Sequence, residues 1–298
     1  YNWSVHHIPS FWEQVWDFCE MIHSVPFSAV VDDIQQMPGA KWFTGAKLNY
    51  AENLLKYRDD QPAIHFKGEG QQVRTLTYKE LYSEVERMAH AFREIGVRKG
   101  DRIVGFIPNM PEAVVAMLGA VSIGAIWSSS SPDFGAKGVL DRFSQIEPKI
   151  IFAANGYYYN GKEFDSIEKL KGILNDLPSV EKVVIVEYLD RKIDLSSIEN
   201  SVLYHEFISK APYPLEFEQL PFDHPLYVMY SSGTTGLPKS IVHSAGGTLI
   251  QHLKELRFHC DLSRKDTIFY FTTCGWMMWN WLVSSLAVGA TMVLYDGS

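Results

Sequence analysis

Between residues 75 and 153 the sequence alternates between helix-like and strand-like segments, and this alternation limits the possible folds strongly. A capping box, Thr77 with Glu80, predicts where the first helix begins, and Gly96 predicts where it ends. The predicted elements are a helix with the apolar stripe Leu81, Val85, Met88, Ala89, Phe92 and Ile95, strands at 102–107, 125–128 and 149–153, and helices at 111–123 and 137–146. The pattern predicts an α/β fold in which mostly parallel sheets are covered by helices in layers.

The remaining segments repeat this pattern less evenly. We expect strands at 226–230, 240–243, 267–272 and 291–295, and helices at 246–258 and 281–288. Residues 155–220 give a weaker signal, with a charged helix at 166–177, a strand at 183–186 and a surface connection at 195–220. Residues 1–57 are rich in aromatic side chains at helical spacing, over 11–18 and again over 40–55. Such helices usually pack as a cap on a core.

Composition excludes several classes of protein. A chain of 298 residues with 46% hydrophobic content can form one large domain or two coupled subdomains. Its net charge of −8 argues against a nucleic-acid partner. The three cysteines are far apart and show no metal-ligand spacing, so we predict no metal site and a reduced, cytoplasmic location. The uncharged stretches 113–132 and 267–295 are interrupted by polar residues and are expected to be buried elements, not membrane spans.

The segment from Ser231 to Lys239 combines four hydroxyl groups, two glycines and one lysine directly after an apolar strand. Gly233 and Gly236 permit backbone conformations in which successive N–H groups face one anion. The hydroxyls are those of Ser231, Ser232, Thr234 and Thr235. Together with the ammonium of Lys239, these groups suit a polyphosphate. An ordinary flexible surface loop is the alternative interpretation.

The spacing differs from that of the common P-loop, because Leu237 and Pro238 separate Gly236 from the lysine. The segment instead resembles the phosphate loop of the adenylate-forming enzymes, the superfamily of acyl-coenzyme A synthetases, luciferases and peptide-synthetase adenylation domains. It departs from that family's pattern once, with Ser240 in place of a final glycine. The resemblance implies that this chain forms part of the family's large N-terminal domain.

Residues 1–57 resemble the amino-terminal extension of the short-chain acyl-coenzyme A synthetases, since the run from Lys41 contains K-W-F-x-G-x-x-L-N-Y-A-x-N. We therefore expect an extension at 1–57 and an AMP-binding domain at 58–298. This extension favours a free-standing synthetase over an adenylation domain that loads a carrier protein. The family's adenine motif, ribose-binding aspartate, hinge and small C-terminal domain would all follow Ser298, so residues 1–298 alone are expected to be inactive.

A second motif, 272–281, follows a predicted strand and contains three tryptophans and two methionines. Ligands of parallel sheets bind at strand ends, where such side chains can line an apolar pocket and Asn280 can donate to a polar acyl chain. The alternative is that they fill the core. The motif resembles the acid-binding segment of the family, with Trp276, Met277 and Met278 in place of the W-V-T of acetate-activating members. It is most similar to acetoacetate-activating members, so acetoacetate is the first choice; acetate, propionate and butyrate stay open.

The resemblance also implies a mechanism. Such enzymes join an acid to ATP, release pyrophosphate, and transfer the acyl group from the adenylate to coenzyme A. Lys239, Thr234 and Thr235 would act on the β- and γ-phosphates, with Mg²⁺ bridging phosphate oxygens. Lys162 lies where relatives bind the 3′-phosphate of coenzyme A. A binding or structural protein that kept the fold without the chemistry is the non-enzyme alternative, and the oligomeric state is not predicted.

Overall fold

The computed structural model describes residues 1–208, 213–231 and 236–298. Helices and strands alternate through most of this part of the chain. In chain order the helices are α1 (Asn2–His6), α2 (Ile8–Phe18), α3 (Tyr50–Leu54), α4 (Tyr78–Glu94), α5 (Pro111–Ser122), α6 (Ala136–Phe143), α7 (Ile167–Asn175), α8 (Tyr204–Phe207), α9 (Ala245–Lys254) and α10 (Met277–Ser284). Short 3₁₀ turns lie at Leu195–Ser197 and Ser285–Val288, and a π-helical turn at Glu255–His259 extends α9.

The strands are mostly short, as expected for segments placed between helices. In chain order they are β1 (Ala29–Val31), β2 (Trp42–Thr44), β3 (Lys47–Leu48), β4 (Pro62–Gly68), β5 (Arg74–Thr77), β6 (Arg102–Phe106), β7 (Ile126–Ser130), β8 (Ile150–Ala154), β9 (Gly156–Tyr159), β10 (Lys162–Asp165), β11 (Lys182–Val186), β12 (Ser201–Leu203), β13 (Leu220–Pro221), β14 (Pro225–Ser231), β15 (Lys239–Ser244), β16 (Thr267–Phe269) and β17 (Thr291–Asp296).

The central sheet has seven strands in the order β12-β11-β8-β6-β7-β14-β15. All neighbours are parallel except the last pair, in which β15 returns antiparallel to β14. The predicted mostly parallel sheet is therefore confirmed. A second sheet, β16-β17-β4-β5, is parallel except at its β4–β5 hairpin.

Both faces of the central sheet are buried at its inner strands β6, β8 and β11, which explains why these strands are mostly apolar. Along β8, Ile150 and Phe152 belong to one core, and Ile151 and Ala153 belong to another on the opposite face. The second core includes residues of α6 and α7, while α4 and α5 contribute to the first. This alternation follows from the two-residue repeat of a strand.

Helix α4 shows how closely local sequence signals set an element's bounds. The hydroxyl of Thr77 accepts the backbone N–H of Glu80, and the Glu80 carboxylate accepts the N–H of Thr77, so the predicted capping box is confirmed. Gly96 follows the helix with φ of 78°, a left-handed conformation that glycine adopts without strain.

Helix α5 is buried along its whole length except at Glu112. The Glu112 carboxylate accepts two hydrogen bonds of 2.7 Å from the guanidinium of Arg74 on β5. A bidentate pair fixes the orientation of both side chains. The pair thus joins the helix that covers the central sheet to the second sheet.

The helix predicted over 40–55 is wrong for most of its length. Residues 42–44 and 47–48 form the short strands β2 and β3, and the helix is limited to α3. Phe43 has φ of 45° and Gly45 has φ of 84°, and both angles interrupt a right-handed helix. The aromatic rings nevertheless pack on the core as expected, with Phe43 4.8 Å from both Trp16 and Phe222 between ring centroids.

Two further boundaries differ from the sequence-based expectations. The segment 195–220 is more than a surface connection, because β12 extends the central sheet and α8 buries Phe207. The helix expected to begin at Trp281 begins at Met277, so the last five residues of the second motif are helical. No helix in the described ranges has the length and apolar character needed to cross a membrane. The stretch 113–132 instead contains most of α5 and all of β7.

Candidate active site

The phosphate-loop segment connects two adjacent strands of the central sheet. Ser231 at the end of β14 pairs with Lys239 at the start of β15, so the sheet holds the two ends of the loop opposite each other. Ser231 is half-buried and Lys239 is exposed. Gly236 has φ of 147°, a conformation that residues with a side chain rarely adopt. The predicted strands on both sides of the loop are confirmed.

Four of the predicted phosphate-binding residues, Ser232, Gly233, Thr234 and Thr235, lie outside the described residues. Their roles, and those of Ser231, Gly236 and Lys239, stay predictions.

The exit of the loop is attached to the turn after α6. Gln145 Nε2 donates to the carbonyl of Pro238 at 2.9 Å, and Ser240 Oγ donates to Gln145 Oε1 at 2.7 Å. Ser240 is the residue that departs from the family pattern, and its hydroxyl makes a contact that a glycine could not make. No motif indicates this role of Gln145, because the pairing joins residues more than 90 positions apart in the sequence.

A second cation lies beside the base of the loop. The guanidinium carbon of Arg142 is 5.9 Å from the ring centroid of Tyr230 and 4.7 Å from that of Phe134. Burial raises the pKa of Tyr230 to about 12, so its phenol is neutral at pH 7. Arg142 adds positive charge next to the strand that carries Ser231, and sequence reasoning missed it, since an arginine near a helix end is usually solvated.

The second motif lies next to the strand that leads into the phosphate loop. Asn280, on α10, is buried, and its Nδ2 donates to the sulfur of Met229 on β14 at 3.1 Å. Within the part of the chain that the structure describes, Asn280 Oδ1 has no hydrogen-bond partner. The predicted acid-binding segment therefore contacts β14 at Met229, two positions before Ser231.

The predicted acid-facing side chains differ in exposure. Trp276 is 65% exposed and Met277 is 37% exposed, whereas Met278 is half-buried. Trp279, in contrast, is fully buried in the core. The motif thus divides into a part that anchors the segment and a part that faces outward at the amino end of α10.

Lys162 lies apart, on the β9–β10 hairpin, and is exposed. The turn of this hairpin has φ of 51° at Asn160 and 69° at Gly161, and the N–H of Asn160 donates to Glu69 at 3.0 Å. Backbone N–H groups, first that of Ser298 and then that of Gly161, lower the pKa of Glu69. The role of Lys162 in binding coenzyme A stays a prediction.

An open cleft of about 740 Å³ lies elsewhere, between the N-terminal extension and the start of α9. Its lining includes Trp12, Trp42, Phe222 and Ser244. Ser244 ends β15, and Lys239 begins it, so the cleft lies about 17 Å from the phosphate-loop end of that strand at the usual rise per residue. We assign the cleft no part in the reaction.

Comparison with known proteins shows the family. The chain belongs to the AMP-binding enzymes, because the model of that family, described as AMP-binding enzyme, matches residues 51–298. A second model, acetyl-coenzyme A synthetase N-terminus, matches residues 1–54. Our boundary after residue 57 stays a prediction.

Individual relatives agree with this assignment. The chain is 53% identical over 308 residues to acetoacetyl-CoA synthetase of Danio rerio, covering 100% of this chain and 46% of the relative. It is 42% identical over 312 residues to malonamoyl-CoA synthetase of Penicillium aethiopicum, covering 100% of this chain and 43% of the relative. The solved structure of acetoacetyl-CoA synthetase from Streptomyces lividans matches with a TM-score of 0.95 and 44% identity, covering 100% of this chain and 46% of that chain.

These matches confirm the predicted family, the predicted fold class and the predicted similarity to acetoacetate-activating synthetases. The chain spans about half the length of the curated relatives that it matches.

Proposed function

We propose that the protein ligates acetoacetate to coenzyme A in two steps. The acid carboxylate attacks the α-phosphorus of ATP, the bond from that phosphorus to the bridging oxygen breaks, and pyrophosphate leaves. The thiol of coenzyme A then attacks the acyl carbon of the adenylate, loses its proton, and displaces AMP. The chain would supply the phosphate loop and the acid-binding segment of this reaction.

The hydrogen bond from Asn280 to Met229 carries the proposal, because it joins the segment predicted to bind the acid to the strand that ends at Ser231. A reaction between a carboxylate and an α-phosphate requires the acid and the triphosphate to be held side by side. Holding two reactants in reactive geometry is itself a large part of the rate acceleration in such displacements.

The proposal of acetoacetate rests on the named relatives together with the chemistry of Asn280. Acetoacetate and malonamate share a carbonyl group two carbons from the carboxylate, whereas acetate, propionate and butyrate lack it. An amide can donate to such a carbonyl, and the unpartnered Oδ1 of Asn280 could accept the amide N–H of malonamate. We therefore propose that Asn280 favours acids with a β-carbonyl group, with Trp276, Met277 and Met278 forming the apolar part of the pocket.

The phosphate-loop residues would stabilise the charge that moves onto pyrophosphate. Lys239 and Arg142 provide positive charge, and the hydroxyls of Ser231 and the adjoining loop provide neutral donors. Mg²⁺ would enter with the triphosphate as its counter-ion, and we assign it no protein ligand. Lys162 would bind a phosphate of coenzyme A. We propose a cytoplasmic location, since the three cysteines are unpaired in the described structure.

The test is pyrophosphate release by the full-length protein with ATP and Mg²⁺, before and after coenzyme A is added. Acetoacetate, malonamate, acetate, propionate and butyrate are compared at equal concentrations. We expect the highest kcat/KM with acetoacetate. A preference for acetate, propionate or butyrate would overturn the assigned acid while keeping the ligase. No release with any of the acids would favour a protein that binds nucleotide without this chemistry.

A further inference from the structure

The side chain of Asn109 is buried in the loop between β6 and α5, and both the nitrogen and the oxygen of its amide have hydrogen-bond partners. Nδ2 donates to the carbonyls of Thr272 and Tyr295, each at 3.3 Å, and Oδ1 accepts the indole N–H of Trp279 at 2.9 Å. Only 3% of Asn109 is exposed. Buried amides satisfied in this way are held in one orientation.

Two of these contacts flank the outward-facing turn of the acid-binding segment, Trp276 to Met278. Thr272 precedes Trp276 in the sequence and Trp279 follows it, so one amide holds both ends of the outward-facing turn. Tyr295 lies on β17 of the second sheet, so the same amide joins the turn to both sheets.

Two further hydrogen bonds hold the acid-binding segment at Cys274. Cys274 Sγ donates to the carbonyl of Pro108 at 3.2 Å, and Ser129 Oγ donates to the carbonyl of Cys274 at 2.7 Å. Pro108 is adjacent to Asn109, and Ser129 lies near the end of β7. The ends of β6 and β7 therefore form the support on which the acid-binding segment lies.

We propose that Asn109 is a positioning residue for acid selection: it sets where Trp276, Met277 and Met278 lie relative to the phosphate-loop strand. It acts through the segment, without touching the acid. The inference rests on the proposed ligase function and adds the residue that fixes the shape of the acid pocket.

Only an amide side chain at position 109 can make all three of these hydrogen bonds. Asparagine offers one acceptor to the Trp279 N–H and two donors to the two carbonyls. An ionised aspartate of the same shape keeps the acceptor but places a negative oxygen against the carbonyls of Thr272 and Tyr295. A serine keeps one hydroxyl and is too short to reach all three partners. Both substitutions should therefore move the turn, aspartate by repulsion and serine by loss of contacts.

The test compares Asn109→Asp and Asn109→Ser with the unaltered full-length enzyme. The readout is the ratio of kcat/KM for acetoacetate to kcat/KM for acetate, because the fraction of folded protein cancels in this ratio. We expect the ratio to fall by about tenfold, as for the loss of one buried hydrogen bond. The KM for ATP should change by less than about twofold, because the contacts to the phosphate-loop exit are untouched.

Asn53 provides a matched control in the N-terminal extension. It is 2% exposed, its Nδ2 donates to the carbonyls of Ile22 and Asn49, and its Oδ1 accepts the N–H of Ile22 at 2.8 Å. Asn53→Asp should reduce thermal stability and leave the acid ratio unchanged.

The outcomes separate this inference from the function on which it rests. An unaltered enzyme that activates none of the acids contradicts the proposed function. An active enzyme in which both Asn109 variants keep the acid ratio of the unaltered protein contradicts the role of Asn109. So does the failure of both variants to fold while Asn53→Asp folds, since Asn109 would then serve stability alone.

Discussion

The hydroxyl of Ser240 donates a 2.7 Å hydrogen bond to Oε1 of Gln145, and this contact fastens the exit of the phosphate loop to the turn after α6. The amide of Gln145 completes the attachment by donating to the carbonyl of Pro238 at 2.9 Å. A side chain that departs from the family's pattern thus has a defined partner in this protein.

Replacing Ser240 by alanine should weaken nucleotide binding without affecting the acid. An exposed neutral hydrogen bond is worth about 0.5–1 kcal/mol, so we expect the KM for ATP to rise about two- to fivefold. Ser28→Ala is the control, since Ser28 Oγ makes a similar exposed bond of 3.0 Å to the carbonyl of Thr44 in the extension. Steady-state kinetics with ATP varied would contradict this account if both variants gave the same KM.

Removing the charge of Lys239 should impair the first half-reaction. Lys239→Ala is expected to lower kcat/KM for pyrophosphate release about 100-fold, because the variant loses the charge that we propose stabilises the departing phosphates. Lys162→Ala serves as the matched control, since it removes an exposed lysine predicted to contact only coenzyme A. It should raise the KM for coenzyme A and leave pyrophosphate release unchanged. Equal loss of pyrophosphate release in both variants would contradict the assigned roles.

Asp296 should make the protein less stable as the pH rises. Burial, with further contributions from Asp133 and Glu69, raises the pKa of this half-buried carboxyl from 3.8 to about 7. Between these values the folded state binds a proton that the unfolded state has lost, so the free energy of unfolding falls by up to about 1.4 kcal/mol per pH unit. We therefore compare the thermal unfolding temperature of Asp296→Asn with that of the unaltered protein. The difference, variant minus unaltered protein, should be more positive at pH 8 than at pH 5. Asp60→Asn, at an exposed site, should show no such difference.

His252 should produce the opposite dependence. Burial lowers its pKa from 6.5 to about 3, and Nδ1 lies 2.7 Å from Ser284 Oγ. Between these values the unfolded state binds a proton that the folded state excludes, so stability is lost as the pH falls below about 6.5. In His252→Asn the loss of stability between pH 7 and pH 5 should be smaller than in the unaltered protein. A larger loss in thermal unfolding would show that His252 is not the group responsible.

The sequence predicts helices and strands well where nearby residues determine their ends. The capping box of α4 and the strand before the phosphate loop are examples. The extension was predicted less well, because Phe43 has a positive φ of 45° and packs its ring against Trp16 and Phe222, which are distant in the sequence. Spacing along the sequence does not show such long-range packing.

The same limit applies to the candidate site. Chemically distinctive residues such as Lys239 and Asn280 are candidates on the strength of their motifs, and their roles stay predictions. Gln145 and Asn109 could not be chosen from the sequence, since each makes hydrogen bonds to segments more than 90 residues away. No motif marks either of these amide side chains, and only the folded structure shows which segments they join.

The most direct test of the account is detection of the acyl-adenylate itself. The full-length protein is incubated with ATP, Mg²⁺ and acetoacetate without coenzyme A, quenched, and analysed by mass spectrometry. The account predicts acetoacetyl-AMP in amounts comparable to the enzyme, and its conversion to acetoacetyl-coenzyme A and AMP when coenzyme A is added. Absence of the adenylate under conditions in which the protein binds ATP would contradict the proposed reaction.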